Sequence, residues 1–144
     1  MEATELMIGD YVTFRDSQKY ENPDVVKIWQ INGDGDALAS IDGETALDEI
    51  AIDEEIVGYS LTPEIFEKNG WKISWVDGFP MYATMKDEEI GLSYEYYFHE
   101  ARLRQYSHFY GKRSLTAQFP GAMNYVHELQ HGLRLCGCTK QIIL

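Results

Sequence analysis

Apolar and polar residues alternate in short runs through the first sixty positions. Tyr11-Val12-Thr13-Phe14 follows the Gly9-Asp10 turn. Val26 and Ile28 alternate with Lys27 and Trp29 inside 25–31, and a third run, 37–41, follows Asn32-Gly33-Asp34-Gly35-Asp36. A period of two is that of a strand with one buried face, so the pattern predicts short strands joined by tight turns. Strands at this spacing predict a small antiparallel β-barrel or meander, SH3-like in kind, over residues 1–60.

The next block, Leu61 to Gly70, carries the marks of a short helix. Thr62 can cap the free amides, and Pro63 suits the first helical position. Glu64 favours the positive end of the helix dipole, while Gly70 supplies a left-handed exit. Leu61 and Phe66 have the spacing of a hydrophobic staple. This helix places a boundary at Ser60-Leu61.

Beyond it, 71–76, 81–85 and 90–98 read as strands, with turns at Asp77-Gly78 and Asp87-Glu88-Glu89. The period then changes. Ala122, Val126, Leu129, Leu133 and Cys136 recur at steps of four and three, which draws one apolar stripe along a terminal amphipathic helix. The expected fold class is α+β, with a small acidic barrel-like part over 1–60. A second part over 61–144 holds a short helix, an antiparallel sheet and the terminal helix packed on it.

A chain of 144 residues with 44% hydrophobic content can bury a proper core in one domain or two small halves. No apolar run is long enough to cross a bilayer, and the start, Met1-Glu2-Ala3-Thr4-Glu5, is acidic where a secretory leader is basic. The expectation is a cytoplasmic protein. Cys136 and Cys138 are too close for an ordinary structural bridge and too few for a disulfide framework, so reduced thiols are expected.

Charge is uneven along the chain. Residues 1–100 hold 23 acidic and 6 basic side chains, net −17, whereas 101–144 hold 1 acidic and 6 basic, net +5. The acidic part fits solubility and rejection of nucleic acid, and 48–55 reads as a solvated acidic run. The asymmetry also allows the two parts to attract each other, within one chain or between chains.

Three stretches suggest chemistry. The first is His127-Glu128-Leu129-Gln130-His131, the zinc-protease signature, in which two histidines one helical turn apart reach one metal and the glutamate holds a water. A third ligand could come only from His99, His108 or upstream carboxylates, because Glu128 is the last acidic residue. The longer pattern, with a later glycine and third histidine, is absent. On a helical wheel His127 and His131 fall away from the apolar stripe, with Glu128 also off it, so both histidines are expected to face solvent. His131 with Cys136 and Cys138 gives three donors without a fourth at standard spacing. The expectation is therefore no catalytic residue, no metal and no cofactor. The alternative is a zinc-dependent hydrolase with His127 and His131 as ligands and Glu128 as base.

The second stretch, Asn32, Asp34 and Asp36, begins like a calcium loop. Ala37 stands where that loop needs glycine and Gly43 where it needs its bidentate glutamate, so a hairpin turn is expected. The third is the tract 94–115, which sets Tyr94, Tyr96, Tyr97, Phe98, Tyr106, Phe109 and Tyr110 among Arg102, Arg104, Lys112 and Arg113. Interleaved aromatic and basic residues can stack bases and neutralise phosphates. In so acidic a chain, the expectation is instead that part of the aromatics form a sheet's core side while the others support basic residues at its edge.

Three segments resemble, in order, a family of short uncharacterised proteins of gut anaerobic bacteria. They are Glu5-Leu6-Met7-Ile8-Gly9-Asp10-Tyr11-Val12, Leu61-Thr62-Pro63-Glu64 leading to Asn69-Gly70-Trp71, and Tyr125-Val126-His127-Glu128-Leu129-Gln130. In that family the last helix usually resembles tyrosine-valine-histidine-glutamine-leucine-glutamine-asparagine, so Glu128 and His131 are departures that create the zinc signature on a noncatalytic helix. The resemblance implies the same layout and brings no activity or cofactor.

The expected function is a noncatalytic interaction protein that uses Arg102, Arg104, Tyr106, Tyr110, Lys112 and Arg113 to contact an acidic protein, or a second copy of itself. Nucleic-acid binding by 94–115 is a further alternative, as is its converse, an acidic half that mimics DNA.

Overall fold

The computed structural model describes residues 1, 5–77, 79–86, 90–97, 100–109, 112–118, 123–138 and 141–144; between 79 and 118 the description is of strands and their register. The chain divides into two compact units, Met1–Ser60 with Tyr125–His127, and Leu61–Asn124 with Glu128–Leu144.

The first unit is one antiparallel sheet. Its elements in chain order are β1 (Tyr11–Phe14), β2 (Val26–Ile31), β3 (Asp36–Ile41), β4 (Asp48–Ala51), a single helical turn α1 (Ile52–Glu55) and β5 (Ile56–Gly58). The strand order is β4-β3-β2-β1-β5. Val12, Val26, Ile28, Ala37, Ala39, Ile50, Ile52 and Ile56 are all buried, with Leu6 completing the cluster. Alternation thus works as expected in β1 to β3, where Val12 and Phe14, Val26 and Ile28, and Ala37 and Ala39 meet the same core.

The 32–36 stretch forms the expected hairpin turn. Asn32 N–H donates to the Asp36 carbonyl at 2.8 Å, and Gly35 takes the left-handed conformation, φ 97°, that a side chain resists. Register slips between Ile28 and Gln30, so Trp29 sits at a bulge in β2.

Two expectations need correction here. The sheet is not closed: β4 and β5 are its two outer strands and no ladder joins them among the described residues, so the SH3-like barrel gives way to an open five-stranded sheet. The run 48–55 is also more than solvated surface. Ile50, Ile52 and Ile56 are buried while Asp48, Glu49, Asp53, Glu54 and Glu55 are exposed. The density of carboxylates hid an alternating strand and a turn. That turn is held at both ends. Ala51 N–H donates to a Glu55 carboxylate oxygen at 2.8 Å. The Arg15 guanidinium donates to the Glu54 and Asp53 carbonyls at 3.1 and 3.2 Å, a cation against the carbonyls that end the turn.

The second unit opens with α2 (Pro63–Lys68). Pro63 holds the first helical position and Gly70 leaves with φ 80°, as expected. Thr62 stands at the N-cap, but its hydroxyl caps no amide; it hydrogen-bonds the Glu64 carboxylate instead. Phe66 and Trp71 are buried edge to face, ring centroids 5.4 Å apart.

Asn69 acts as a piece of backbone. Its amide nitrogen donates to the Ile65 and Ile143 carbonyls at 2.7 Å each, and its carbonyl oxygen accepts from Ile143 N–H at 2.8 Å. Lys68 Nζ donates to the Leu144 carbonyl beside it. The 141–144 segment is thereby tied to the end of α2, with Ile142 buried.

Five strands follow: β6 (Lys72–Val76), β7 (Phe79–Lys86), β8 (Ile90–Tyr97), β9 (Glu100–Phe109) and β10 (Lys112–Gln118). They form a simple antiparallel meander, order β10-β9-β8-β7-β6. The last helix is α3 (Val126–Leu135). Its stripe is buried as the period predicts: Val126, Leu129, Leu133 and Cys136 are at most 7% exposed. Ala122 lies outside the described residues. Each such leucine contributes about 1.5–3 kcal/mol through apolar burial. No described helix is long and apolar enough to cross a membrane.

Candidate functional site

The basic tract becomes a ladder. Arg102, Arg104 and Tyr106 occupy alternate positions of β9, and Lys112 and Arg113 open β10, the strand beside it. Register assigns each a neighbour: Arg102 stands opposite Glu95 on β8, Arg104 opposite Ser93 and Gln118, and Tyr106 opposite Gly91 and Leu115. Lys112 stands opposite Phe109, and Arg113 opposite His108.

Two basic positions on β9 and two on β10 therefore fall on neighbouring strands; by alternation Arg102, Arg104 and Arg113 share a face, and Lys112, paired with Phe109, falls on the other. Only Arg102 has an acidic residue directly across from it, and directly opposed charges of unlike sign attract. Arg104, Lys112 and Arg113 have no acidic residue directly opposite them in the described register. Register shifts between Leu115 and Ala117, a bulge that bends the outer strand near its middle. Tyr110, His99 and Phe98 lie outside the described residues.

The zinc-like motif falls on the first turns of α3, and its orientation differs from the wheel's expectation. His127 is 5% exposed, and its ring stacks on that of Tyr125, centroids 5.8 Å apart and planes 11° from parallel. His131 and Glu128 are half-buried. A wheel measures one stripe along a helix and ignores what surrounds its end. Here Val126 N–H donates to the Tyr59 carbonyl at 2.9 Å, and Tyr125 bridges to Ser60, so the first turn is enclosed on more sides than the stripe.

Glu128 has a structural task. Its carboxylate accepts the Asn124 N–H at 2.7 Å, reaching back over the helix start much as the glutamate of a capping box does. Among the described residues no three histidine, cysteine, aspartate or glutamate side chains are grouped to hold a metal ion. Cys136 and Cys138 are both free thiols. Burial pushes the Cys136 thiol above its ordinary value, and the neighbouring Cys138 adds to the shift.

Two features of the first unit carry no sharp signal in the sequence. On the polar side of the sheet, Lys27 Nζ lies 4.8 Å from the Trp29 ring and 5.7 Å from the Tyr11 ring, a cation between two aromatics. Trp29 is 48% exposed, and its indole N–H donates to Ser40 Oγ at 2.9 Å. The alternation of Lys27 and Trp29 with Val26 and Ile28 puts both on one face, but only the fold adds Tyr11, which pairs with Lys27 across the strands.

The second feature is a cleft of about 390 Å³ beside Phe14 and Tyr20, with carboxylates of Asp16, Asp24, Glu54 and Glu55 around it. Arg15, on the same rim, is committed to the α1 carbonyls.

No family model matches this chain, and no curated protein or solved structure does so either.

Proposed function

We propose that the protein is a noncatalytic binding module that contacts an acidic partner through the β9–β10 ladder. The observation that carries this reading is the register. Arg104, Lys112 and Arg113 lie on adjacent strands with no acidic residue across from them, in a chain whose net charge is −12. Local positive charge held within a negative molecule recruits acidic ligands and disfavours their approach elsewhere. Tyr106, placed between the arginines of β9 and the neutral middle of β10, adds aromatic contact area. Glu128 at the start of α3 and the buried His127 serve the helix on this reading. The same reading has the protein work in the cytoplasm, where Cys136 and Cys138 stay reduced.

The test is fluorescence anisotropy with labelled polyglutamate. Wild-type protein should bind, weakening as salt rises, and a variant with Arg102, Arg104, Lys112 and Arg113 all changed to alanine should lose that binding. Equal binding by the two proteins refutes the contact surface. Stronger binding to a labelled single-stranded oligonucleotide than to polyglutamate moves the assignment to nucleic acid.

A further inference from the structure

The two sheets end on strands of opposite charge. In the first, β4 is an outer strand paired only with β3; it begins Asp48-Glu49, both exposed, and Leu47 just before it is 49% exposed. In the second, β10 is an outer strand paired only with β9; it begins Lys112-Arg113 and contains no acidic residue. Neither strand has a second partner strand among the described residues.

An outer strand presents a row of main-chain donors and acceptors to any strand that can lie beside it, and proteins commonly use edge charges to prevent this. Edge charges discriminate by sign. Two β4 edges repel through Asp48 and Glu49, and two β10 edges repel through Lys112 and Arg113. A β4 edge against a β10 edge is attracted, because unlike charges directly opposed stabilise a ladder. The division of charge agrees: residues 1–60 hold 15 acidic and 3 basic side chains, whereas 61–144 hold nine of each.

We infer that β4 of one copy adds to the outer edge of β10 of a second copy, so that the acidic partner of the basic ladder is another molecule of this chain. The inference rests on the reading of β9–β10 as an acid-binding surface and deepens it by naming the occupant. Antiparallel addition, the more stable kind of ladder, brings the charges together in the register that sets Glu49 opposite Lys112 and Asp48 opposite Arg113, with Leu47 opposite Ser114. Two different edges are used, so the contact is heterologous. Each bound copy still offers one edge of each sign, and growth stops only where a ring closes. The molecule's net charge of −12 repels copies at long range, which makes the contact depend on the local match of four residues.

Sedimentation velocity from micromolar to hundreds of micromolar protein tests this by charge exchange. Wild-type protein should sediment faster as concentration rises. Asp48→Lys with Glu49→Lys in one variant, and Lys112→Glu with Arg113→Glu in another, should each sediment as monomers with unchanged circular dichroism. An equimolar mixture of the two variants should associate again, as should a chain carrying all four reversals, and neither recovery follows from mere damage to a strand. A wild type that stays monomeric throughout, a reversed variant that associates like wild type, or a mixture that fails to recover each overturns the proposal. Labelled polyglutamate added to the same samples separates the two readings. A monomeric wild type that still binds it removes only the second copy as occupant, and one that does not bind removes the acid-binding surface as well.

Discussion

The ring of Tyr125 lies directly on Gly58, so close that a β-carbon built on Gly58 would fall among the Tyr125 ring and Cβ atoms. Strand β5 therefore ends on a residue chosen for having no side chain, and the aromatic ring takes the space. Gly58→Ala should destabilise the protein by about 1–3 kcal/mol, as overpacking does. In a Tyr125→Ala background the same change should cost far less. A double-mutant cycle from urea melts measures this coupling, and additive costs would show that the contact is not what excludes a side chain there.

Asn69 should matter out of proportion to its size. Asn69→Ala removes three hydrogen bonds to main-chain groups of Ile65 and Ile143, and should cost about 2 kcal/mol through the groups left unsatisfied. Asn69→Asp keeps the acceptor for Ile143 N–H and loses both donations, so its cost should be intermediate near neutral pH. Hydrogen exchange at the Ile143 amide reads the effect: it should quicken strongly in the alanine variant and less in the aspartate one.

The Thr62 hydroxyl, with the Glu64 amide as a second donor, holds the Glu64 carboxyl below its ordinary value of 4.5. A depressed folded-state value means that the contribution is present above about pH 4.5 and fades as pH falls through the folded value. Glu64 is exposed, so the effect on stability is small, and the sharper readout is an NMR titration of the side chain. Its midpoint should rise in Thr62→Val. An unchanged midpoint would remove the hydroxyl as the cause.

Cys136 and Cys138 should react at different rates. Burial disfavours the Cys136 thiolate, whereas Cys138 is half-buried, and the thiolate is the reactive form. With a limiting thiol reagent at pH 8, peptide mapping should find the label on Cys138 first. Preferential labelling of Cys136 would contradict its place at the buried end of the α3 stripe.

Alternation and helical period made most of the skeleton legible. β1, β2, β3, α2, β6, β7, β8 and the stripe of α3 follow from spacings that a local pattern imposes wherever one face is buried. β4, α1 and β5 were hidden because Asp48, Glu49, Asp53, Glu54 and Glu55 surround Ile50, Ile52 and Ile56, the one buried isoleucine that each contributes. The closed barrel failed because strand spacing predicts how many strands there are and says nothing of whether the outer two meet.

At the candidate site, the basic residues were visible by type and expected at a sheet's edge, but their register was not. That Lys112 and Arg113 lie beside the strand holding Arg104 depends on where β9 turns into β10, which composition does not encode. The orientation of His127 was misjudged for a related reason. The groups that enclose the start of α3 include Tyr59 and Ser60, far away in sequence and outside any helical wheel.

That enclosure has a consequence for how the chain is made. The first sheet is complete in sequence by Ser60, yet the aromatic piece that covers Gly58 belongs to Tyr125–His127. During synthesis the sheet emerges bare at that spot and must wait until Tyr125 has been made before its lid arrives.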